Sequence, residues 1–558
     1  MRAARTVRTI GRLPARAWRW LARPRRYAAV RTIARDLPRL VLHDPPIAAA
    51  VIRIALADSK AAGTLPVLDR AIRIRPSPAL RRRRAEALEL AGELTASREA
   101  WSSLAASGDA VAPTRLRRVE GRLTETDPGW LPVGGQPREQ IVPVGPRRIL
   151  HIAKSSVPAR WSGFTIRTLQ NLRAQREAGL EPIVLTKIGW PREAGVSDVP
   201  PSETFEGFEI HYLDRGPEYF HKRLPPDIPL RDMVEDAAPL IRELRPAILH
   251  AHSGHRGGEQ ALVALALREQ FGIPVVYEVR GLFEGTWTAD TQIAERAELY
   301  HRRLAQETRI LNAVDGVIAI SEALADELES RGIPRDKITI VPNGIDPATL
   351  GEDAPRDPAL RARLDLDGRF VVGYLGNLDH WREGIEVLIE ALAELHAHGR
   401  RDVALLVVGD GTRRAGMEAH AERVGVADSC RFTGRVPHEA VGQYYAQMDL
   451  FTNPRVDERA ARFITPLKPY EAMALGVPVL VSDLPALREI VDPPTRGVVA
   501  PVGDAAGLAA AIERLIDDPQ ERARLGAAGR DWVRAERTWA ANGPRYRAAY
   551  EAILGPLD

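Results

Sequence analysis

NPRVDERAARFITPLKPYEAMALGVPVLVSD, residues 453–483, leaves one apolar segment, crosses a charged loop and a helix, and ends in another apolar run. Pro466 and Pro469 forbid a regular helix around Lys468. The helix is therefore predicted to start near Pro469–Glu471, where proline is tolerated in the first turn. VPVLVSD then reads as a buried strand. A strand, a proline-marked loop, a helix and a second apolar strand form the repeating unit of a parallel sheet. Glu471 falls in the helix's first turn. There a carboxylate complements the helix dipole, or accepts hydrogen bonds from two adjacent hydroxyls, as on a ribose. This segment alone leaves both readings open.

The same alternation extends outward in both directions. FVVGYLGN is a strand entering a glycine turn, GIEVLIEALAELHAHG an amphipathic helix, and VALLVVGDG, CRFTGRV and LFTNP further strands. Gly376 stands between strand and helix, where backbone N–H groups and a helix N-terminus can face a phosphate. The plainer reading is a tight turn with no ligand. Upstream, RRILHIA, EPIVLT, AILHAHS, IPVVYEVRG and GVIAIS are strands alternating with helices such as TIRTLQNLRAQREAGL and EQALVALALREQFG. Ser321 is a good N-cap before Glu322. The last helix, in ANGPRYRAAYEAIL, is a candidate to return to the first α/β unit. No segment reads as an antiparallel sandwich.

These readings predict an α/β protein with an all-helical extension. Residues 1–42 form a basic arm, and residues 43–125 a helical region. Residues 126–146 are a Pro/Gly-rich linker. A first Rossmann-like domain covers 147–345, a second 346–535, and a C-terminal helix 536–558. The helical region resembles tetratricopeptide hairpins, with Ala71 and Ser107 at similar places one repeat apart. A plain helical bundle fits as well, and either could dock a protein partner or pack on the catalytic body.

The chain has 558 residues and a net charge of +4. The charge is unevenly spread. Residues 1–140 hold 27 basic and 13 acidic residues; the remainder holds 51 and 61. A basic front end on an acidic body suggests that the front end meets something anionic. The first 35 residues carry 11 arginines and no acid, and arginine interrupts each apolar stretch before a secretory signal can form. Arginine mixed with Trp18, Trp20, Leu21 and Ile33 makes 1–42 a candidate anchor on an anionic membrane surface. The alternative is an unstructured or packed basic arm. No apolar run approaches the ~18–20 residues that span a bilayer. The single cysteine, Cys430, excludes an internal disulfide and a cysteine zinc cluster. The expected setting is cytoplasmic, with the inner face of the membrane as a peripheral site.

YEAMALGVPVLVSDLPALREIV, with ISEALADELESRGIPRDKITIVPNGID upstream, resembles the large glycosyltransferase family 4. The resemblance covers about residues 147–555. It implies the GT-B fold: two facing Rossmann-like domains, the acceptor side first and the nucleotide-sugar side second. It also implies retention of anomeric configuration and requires no metal or other cofactor. SGFTIRTLQNLRAQREAGLEPIVLT, ILHAHS, GIPVVYEVRGLFEGTW and TPLKPYEAMA are similar to the branch found with exopolysaccharide and exosortase-associated gene sets.

Carried over residue by residue, the resemblance assigns Glu471 to the ribose. The family's partner carboxylate seven residues earlier falls on Phe463, which cannot accept from a sugar hydroxyl. The family's phosphate-binding Arg and Lys fall on Asn377 and Glu383, and its first-domain His on Arg280. Two cations are thus missing beside a diphosphate, whose charge needs compensation. Lys468, Arg462 and Arg280 are the candidates to supply it; the plainer reading makes them solvated surface charges. The donor site is expected to comprise Gly163, Gly376, Asn377, Val436, Arg462, Pro466, Leu467, Lys468 and Glu471. Lys468, Arg280 and Glu284 are the candidate catalytic residues, Glu284 orienting the acceptor hydroxyl or acting as base. His252, His255 and Arg167 are expected on the acceptor side. The expected partners are a nucleotide-sugar donor and a lipid-linked or polysaccharide acceptor, and no nucleic acid. Two other functions compete: nucleotide-sugar binding without turnover, and another GT-B reaction such as 2-epimerisation of a nucleotide sugar.

Overall fold

The computed structural model describes residues 61–74, 76–133, 138–254, 256–288, 291–346 and 356–557. The basic arm of residues 1–42 and His255 lie outside them. The helical extension contains α1 (Ala61–Ile74), α2 (Pro78–Ala91), α3 (Leu94–Ala106) and α4 (Ala112–Glu125), each packed on the next. Ser77 caps α2 from the preceding turn, and Gly92 ends it in the left-handed conformation. Ala71 and Ser107 are not equivalent positions. Ala71 is buried within α1, whereas Ser107 is the exposed C-cap of α3. Trp101 and Leu104 of α3 pack with Ala112 and Val119 of α4 in a small core of their own.

The first α/β domain contains β1 (Arg148–Ala153), α5 (Gly163–Glu177), β2 (Glu181–Thr186), β3 (Ser202–Phe205), β4 (Phe208–His211), α6 (Asp227–Leu244), β5 (Ile248–His252), α7 (Glu259–Phe271), β6 (Val275–Val279), α8 (Thr291–Arg296), α9 (Glu298–Ala313), β7 (Gly316–Ala319), α10 (Glu322–Ser330) and β8 (Ile338–Ile340). Its strand order is β3-β4-β2-β1-β5-β6-β7-β8. All pairings are parallel except the hairpin β3–β4. That hairpin, in SETFEGFEIH, was not legible from the α/β alternation. Its turn places Glu206 and Gly207 at φ 51° and 78°, the left-handed pair that matches strand twist in a two-residue loop.

The second domain contains α11 (Pro358–Arg363), β9 (Phe370–Leu375), α12 (Ile385–Ala397), β10 (Val403–Val408), α13 (Arg414–Arg423), β11 (Cys430–Phe432), α14 (Val441–Tyr445), β12 (Leu450–Asn453), α15 (Arg459–Phe463), α16 (Lys468–Ala474), β13 (Val479–Ser482), α17 (Pro485–Val491), β14 (Val498–Ala500), α18 (Ala505–Asp517) and α19 (Pro519–Glu536). Its sheet is wholly parallel, in the order β11-β10-β9-β12-β13-β14. Two mainly parallel sheets flanked by helices are the GT-B architecture expected from the sequence.

The chain crosses between the domains twice, and the two crossings pair. Ile345 N donates to Arg537 O at 2.7 Å, and Trp539 N donates to Ile345 O at 3.1 Å. A Cβ on Gly344 would meet Trp539 N at 2.8 Å, so the glycine of the NGID motif is what lets the strands approach. After the second crossing, α20 (Asn542–Leu554) lies on α5. Tyr546 and Tyr550 pack there with Ile149, Ile248, Val276 and Ile318, closing one face of the first sheet. Among the described residues no helix is long and apolar enough to cross a membrane.

Candidate active site

The site is built at the carboxyl end of the second sheet. β9 ends in Leu375 and runs into Gly376, whose N–H donates to Val408 O at 2.9 Å. A Cβ on Gly376 would meet Lys468 Nζ at 2.6 Å and the Tyr374 hydroxyl at 2.8 Å. The turn can therefore lie against the lysine only because it carries no side chain. Lys468 is the first residue of α16, one position earlier than the sequence predicts, with Pro469 in the first turn. Its Nζ lies 3.5 Å from Glu383 Oε2 and 3.4 Å from the Tyr374 hydroxyl. Burial lowers the ammonium's pKa, against the pull of Glu383.

Glu383 occupies the place of the expected lysine, and its surroundings reverse in compensation. Arg455 Nη2 approaches Glu383 Oε1 at 3.2 Å, and the Tyr374 hydroxyl donates to Oε2 at 3.0 Å. Burial disfavours the carboxylate, but Arg455, Lys468 and Arg382 outweigh it and hold the group at about 2. The acid is thus ionised and fixed. Glu383 holds Lys468 and Arg455 together behind the turn. Glu471 sits one turn into α16, where its Oε2 accepts from the Tyr445 hydroxyl at 2.8 Å. Tyr445 is fully buried, yet its hydroxyl serves the site. Pro466 and Leu467 lead into α16, and Thr465 O accepts from Asn343 in the first crossing at 3.0 Å. Asn377 is exposed and caps its own turn, accepting from Asp379 N at 2.6 Å. Val436 packs on the second domain's core beyond Gly434, which bridges to Gly409.

The remaining candidates lie elsewhere. Arg462 is half-exposed and paired with Asp457 at 2.7 Å, so it does not join Lys468. Phe463 and Ile464 pack against the first domain's core, and Phe463 O accepts from Ser321 Oγ at 3.0 Å. The absent carboxylate has thus given way to a domain contact. Ser321 also caps α10, as predicted. Gly163 opens α5 beside the capping pair Ser162 and Thr165, with open space where a Cβ would stand.

Arg167 and Arg280 correct the sequence reading, because their donors are already used. Both guanidiniums flank the fully buried Glu278, at 2.9 and 2.7 Å. Arg167 also donates to the Val341 and Pro342 carbonyls at 2.7 and 2.9 Å and to Asn343 Oδ1 at 3.0 Å. It ties the first sheet to the crossing rather than facing an acceptor. Arg280 donates to Thr168 Oγ1 at 2.7 Å. Burial works against the Glu278 charge, but Arg280 and Arg167 hold its pKa well below the ordinary range. His252 belongs to the same interior. Its Nε2 lies 3.0 Å from His151 Nδ1, and with His250 these form the buried histidine group found among the described residues. Burial depresses the pKa of all three. A dication there would face the two guanidiniums, so the arrangement suits neutral hydrogen-bonding imidazoles. Glu278 was missed in the sequence because an acid within a strand, YEV, carries no spacing signal.

Glu284 does face the cleft. A cavity of about 540 Å³ lies between the domains, lined by Glu284, Trp287 and Tyr300 from the first and Asp379, Arg382 and Arg459 from the second. Arg459 crosses it, meeting Glu284 at 2.5 Å and also pairing with Glu327. Its second-domain wall includes the loop joining the Gly376 turn to Glu383.

Family models match both halves: "Glycosyltransferase Family 4" over residues 161–349 and "Glycosyl transferases group 1" over 369–518. A GDP-mannose-dependent alpha-mannosyltransferase of Mycolicibacterium smegmatis is 30% identical over 418 residues, covering 73% of this chain and 98% of the relative. The chain belongs to glycosyltransferase family 4. It is thus a glycosyltransferase. A 2-deoxystreptamine glucosyltransferase of Streptomyces kanamyceticus is 32% identical over 255 residues, 45% of this chain and 64% of that enzyme. Among solved structures, sucrose-phosphate synthase from Thermosynechococcus elongatus superposes with a TM-score of 0.58 at 23% identity, over 73% of this chain and 99% of that one. A glycosyltransferase from Rickettsia africae gives 0.56 at 14%, over 73% and 99%. These structures share the fold of this glycosyltransferase.

Proposed function

We propose that the enzyme takes a sugar from a nucleoside-diphosphate sugar at the carboxyl end of the second sheet. The sugar passes, with retention, to a hydroxyl of a lipid-linked or polysaccharide acceptor held by the first domain, in cell-surface glycan assembly. The reading rests on one observation: an ammonium, Lys468, lies under a glycine turn and three residues before the carboxylate Glu471. Lys468 would take the diphosphate beside the turn, whose Gly376 and Leu378 N–H groups are already bonded within the fold, and Glu471 would take the ribose hydroxyls. The departing diphosphate gains negative charge as the glycosidic bond breaks, and a fixed cation stabilises that change more than it stabilises the bound donor. Closure of the cleft would exclude water, which otherwise hydrolyses the donor. Glu284, already paired with Arg459, would orient the acceptor hydroxyl. The chemistry draws on no resident cofactor. The resemblance of several sequence motifs to the exopolysaccharide and exosortase-associated branch supports the choice of acceptor class.

A thermal-shift screen against UDP-, GDP- and ADP-sugars tests the donor assignment. The true donor at 100 times its dissociation constant adds about 2.7 kcal/mol. Nucleoside diphosphate release that requires acceptor, with the product's anomeric configuration read by NMR, tests the reaction. An inverted product, or release independent of acceptor, counts against the proposal.

A further inference from the structure

A second cavity, of about 260 Å³, lies where the helical extension meets the first domain. It holds the volume of about nine waters, enough for a diphosphate and a few carbons. Arg118 and Arg122 of α4 form one side, and Lys187, Lys222 and Arg256 of the first domain the other. Three carboxylates attend these five cations. Glu193 pairs with Lys187 at 2.8 Å and Lys222 at 3.1 Å. Glu125 pairs with Arg122 at 2.6 Å, and Glu259 pairs with Arg256. Two positive charges remain over, with His221 beside them. Ile188, Leu224 and Met233 supply apolar wall. Gln260, 3% exposed, also lines the cavity, and its amide oxygen has no hydrogen-bond partner.

The extension is held rigidly over this cavity. Arg117 grips Asp227 through two bonds of 3.0 and 2.8 Å, and a Cβ on Gly121 would strike Pro225 at 2.8 Å. Arg302 donates to the Leu123 carbonyl at 2.7 Å. The cavity's first-domain residues follow the carboxyl ends of β2, β4 and β5, the same sheet edge from which Glu284 enters the cleft after β6. Lys154, just after β1 between them, is brought down to about 8 by burial and then by Lys187, Arg280 and Arg160.

We infer that this cavity binds a phosphate or diphosphate group esterified to an apolar group, and that the helical extension thereby takes part in acceptor recognition. The inference rests on the assignment of the acceptor to the first domain. Surplus cations recognise the anion, and the apolar wall takes the first carbons of its ester. Because α4 provides two of the cations, the matched family segments alone do not complete the site.

The test is calorimetric titration of the full chain with farnesyl diphosphate, inorganic pyrophosphate and farnesol. Farnesyl diphosphate should bind most tightly, pyrophosphate about tenfold or more weaker, and farnesol not measurably. The pair change at half-buried Arg118 and exposed Lys222, Arg118→Ala/Lys222→Ala, should weaken farnesyl diphosphate at least about tenfold while leaving the melting temperature and nucleoside diphosphate affinity unchanged. Lys468→Ala should do the reverse, which separates this cavity from the donor site. Farnesyl diphosphate binding that survives the pair change overturns the inference. So does pyrophosphate binding as tightly, which would mean a free-anion site, or farnesol binding as tightly, which would mean an apolar one. If the parent binds farnesyl diphosphate but no nucleoside diphosphate, the donor assignment fails and this inference stands.

Discussion

Lys468→Ala isolates the charge on which the proposed chemistry depends. The side chain is 22% exposed, and its Nζ is 3.5 Å from Glu383 Oε2, so a ligand at the Gly376 turn meets the ammonium across little water. A unit charge at ~4 Å and an effective dielectric near 20 is worth about 4 kcal/mol. If about two-thirds of a charge develops on the departing diphosphate, the lysine contributes about 2.7 kcal/mol, or ~10²-fold in rate. Loss of a single oxyanion donor in other enzymes gives the same range. Stability should change far less, because Glu383 keeps Arg455 at 3.2 Å and Tyr374 at 3.0 Å. The assay is steady-state release of nucleoside diphosphate with the donor found by thermal shift, alongside a denaturation curve. The expected result is kcat down about 10²-fold with a melting temperature near that of the parent. A variant within about threefold of the parent rate would refute the electrostatic role.

Gly376→Ala should mimic that loss without removing a charge, since the new Cβ falls 2.6 Å from Nζ and pushes the ammonium away; a parental rate would show the close approach to be irrelevant. Glu471→Gln keeps the shape but removes the charge from a carboxylate that accepts from Tyr445. Donor KM should rise about 10-fold or more, with kcat less affected, since charged hydrogen bonds contribute ~1.5–3 kcal/mol. An unchanged KM would leave Glu471 as a helix-dipole acid only. Stability should be pH-dependent through the buried imidazoles. His151 and His252 have folded pKa values well below the ordinary 6.5, so below that value the unfolded chain binds more protons and stability falls. The expected slope is about 2.5 kcal/mol per pH unit near pH 5.5, vanishing above about pH 7.5. Urea denaturation at pH 7.5, 6.5 and 5.5 reads it directly. A flat response between 6.5 and 5.5 would mean that the imidazoles are not held neutral.

The sequence by itself determined the α/β class and the division into two Rossmann-like domains, and it pointed to the segment proposed to carry the donor site. These follow from short-range signals: apolar strands, glycine turns, and prolines that bracket Lys468. It also singled out Lys468 as the replacement cation beside Glu471, and the structure sets that lysine under Gly376. Tertiary structure alone decided which charges remain available. Arg167 and Arg280 resemble free cations in the sequence, but β6 brings Glu278 between them and the crossing at residues 341–343 takes Arg167's other donors. Glu383 looks like a loss of phosphate binding until Arg455, 72 residues on, arrives to neutralise it. The pairing of the two crossings, and the cavity that α4 closes over the first domain, likewise join distant parts of the chain. Local patterns record what each segment can bury. Ion pairs and cavities depend on where remote backbones place their side chains, and no spacing rule encodes that.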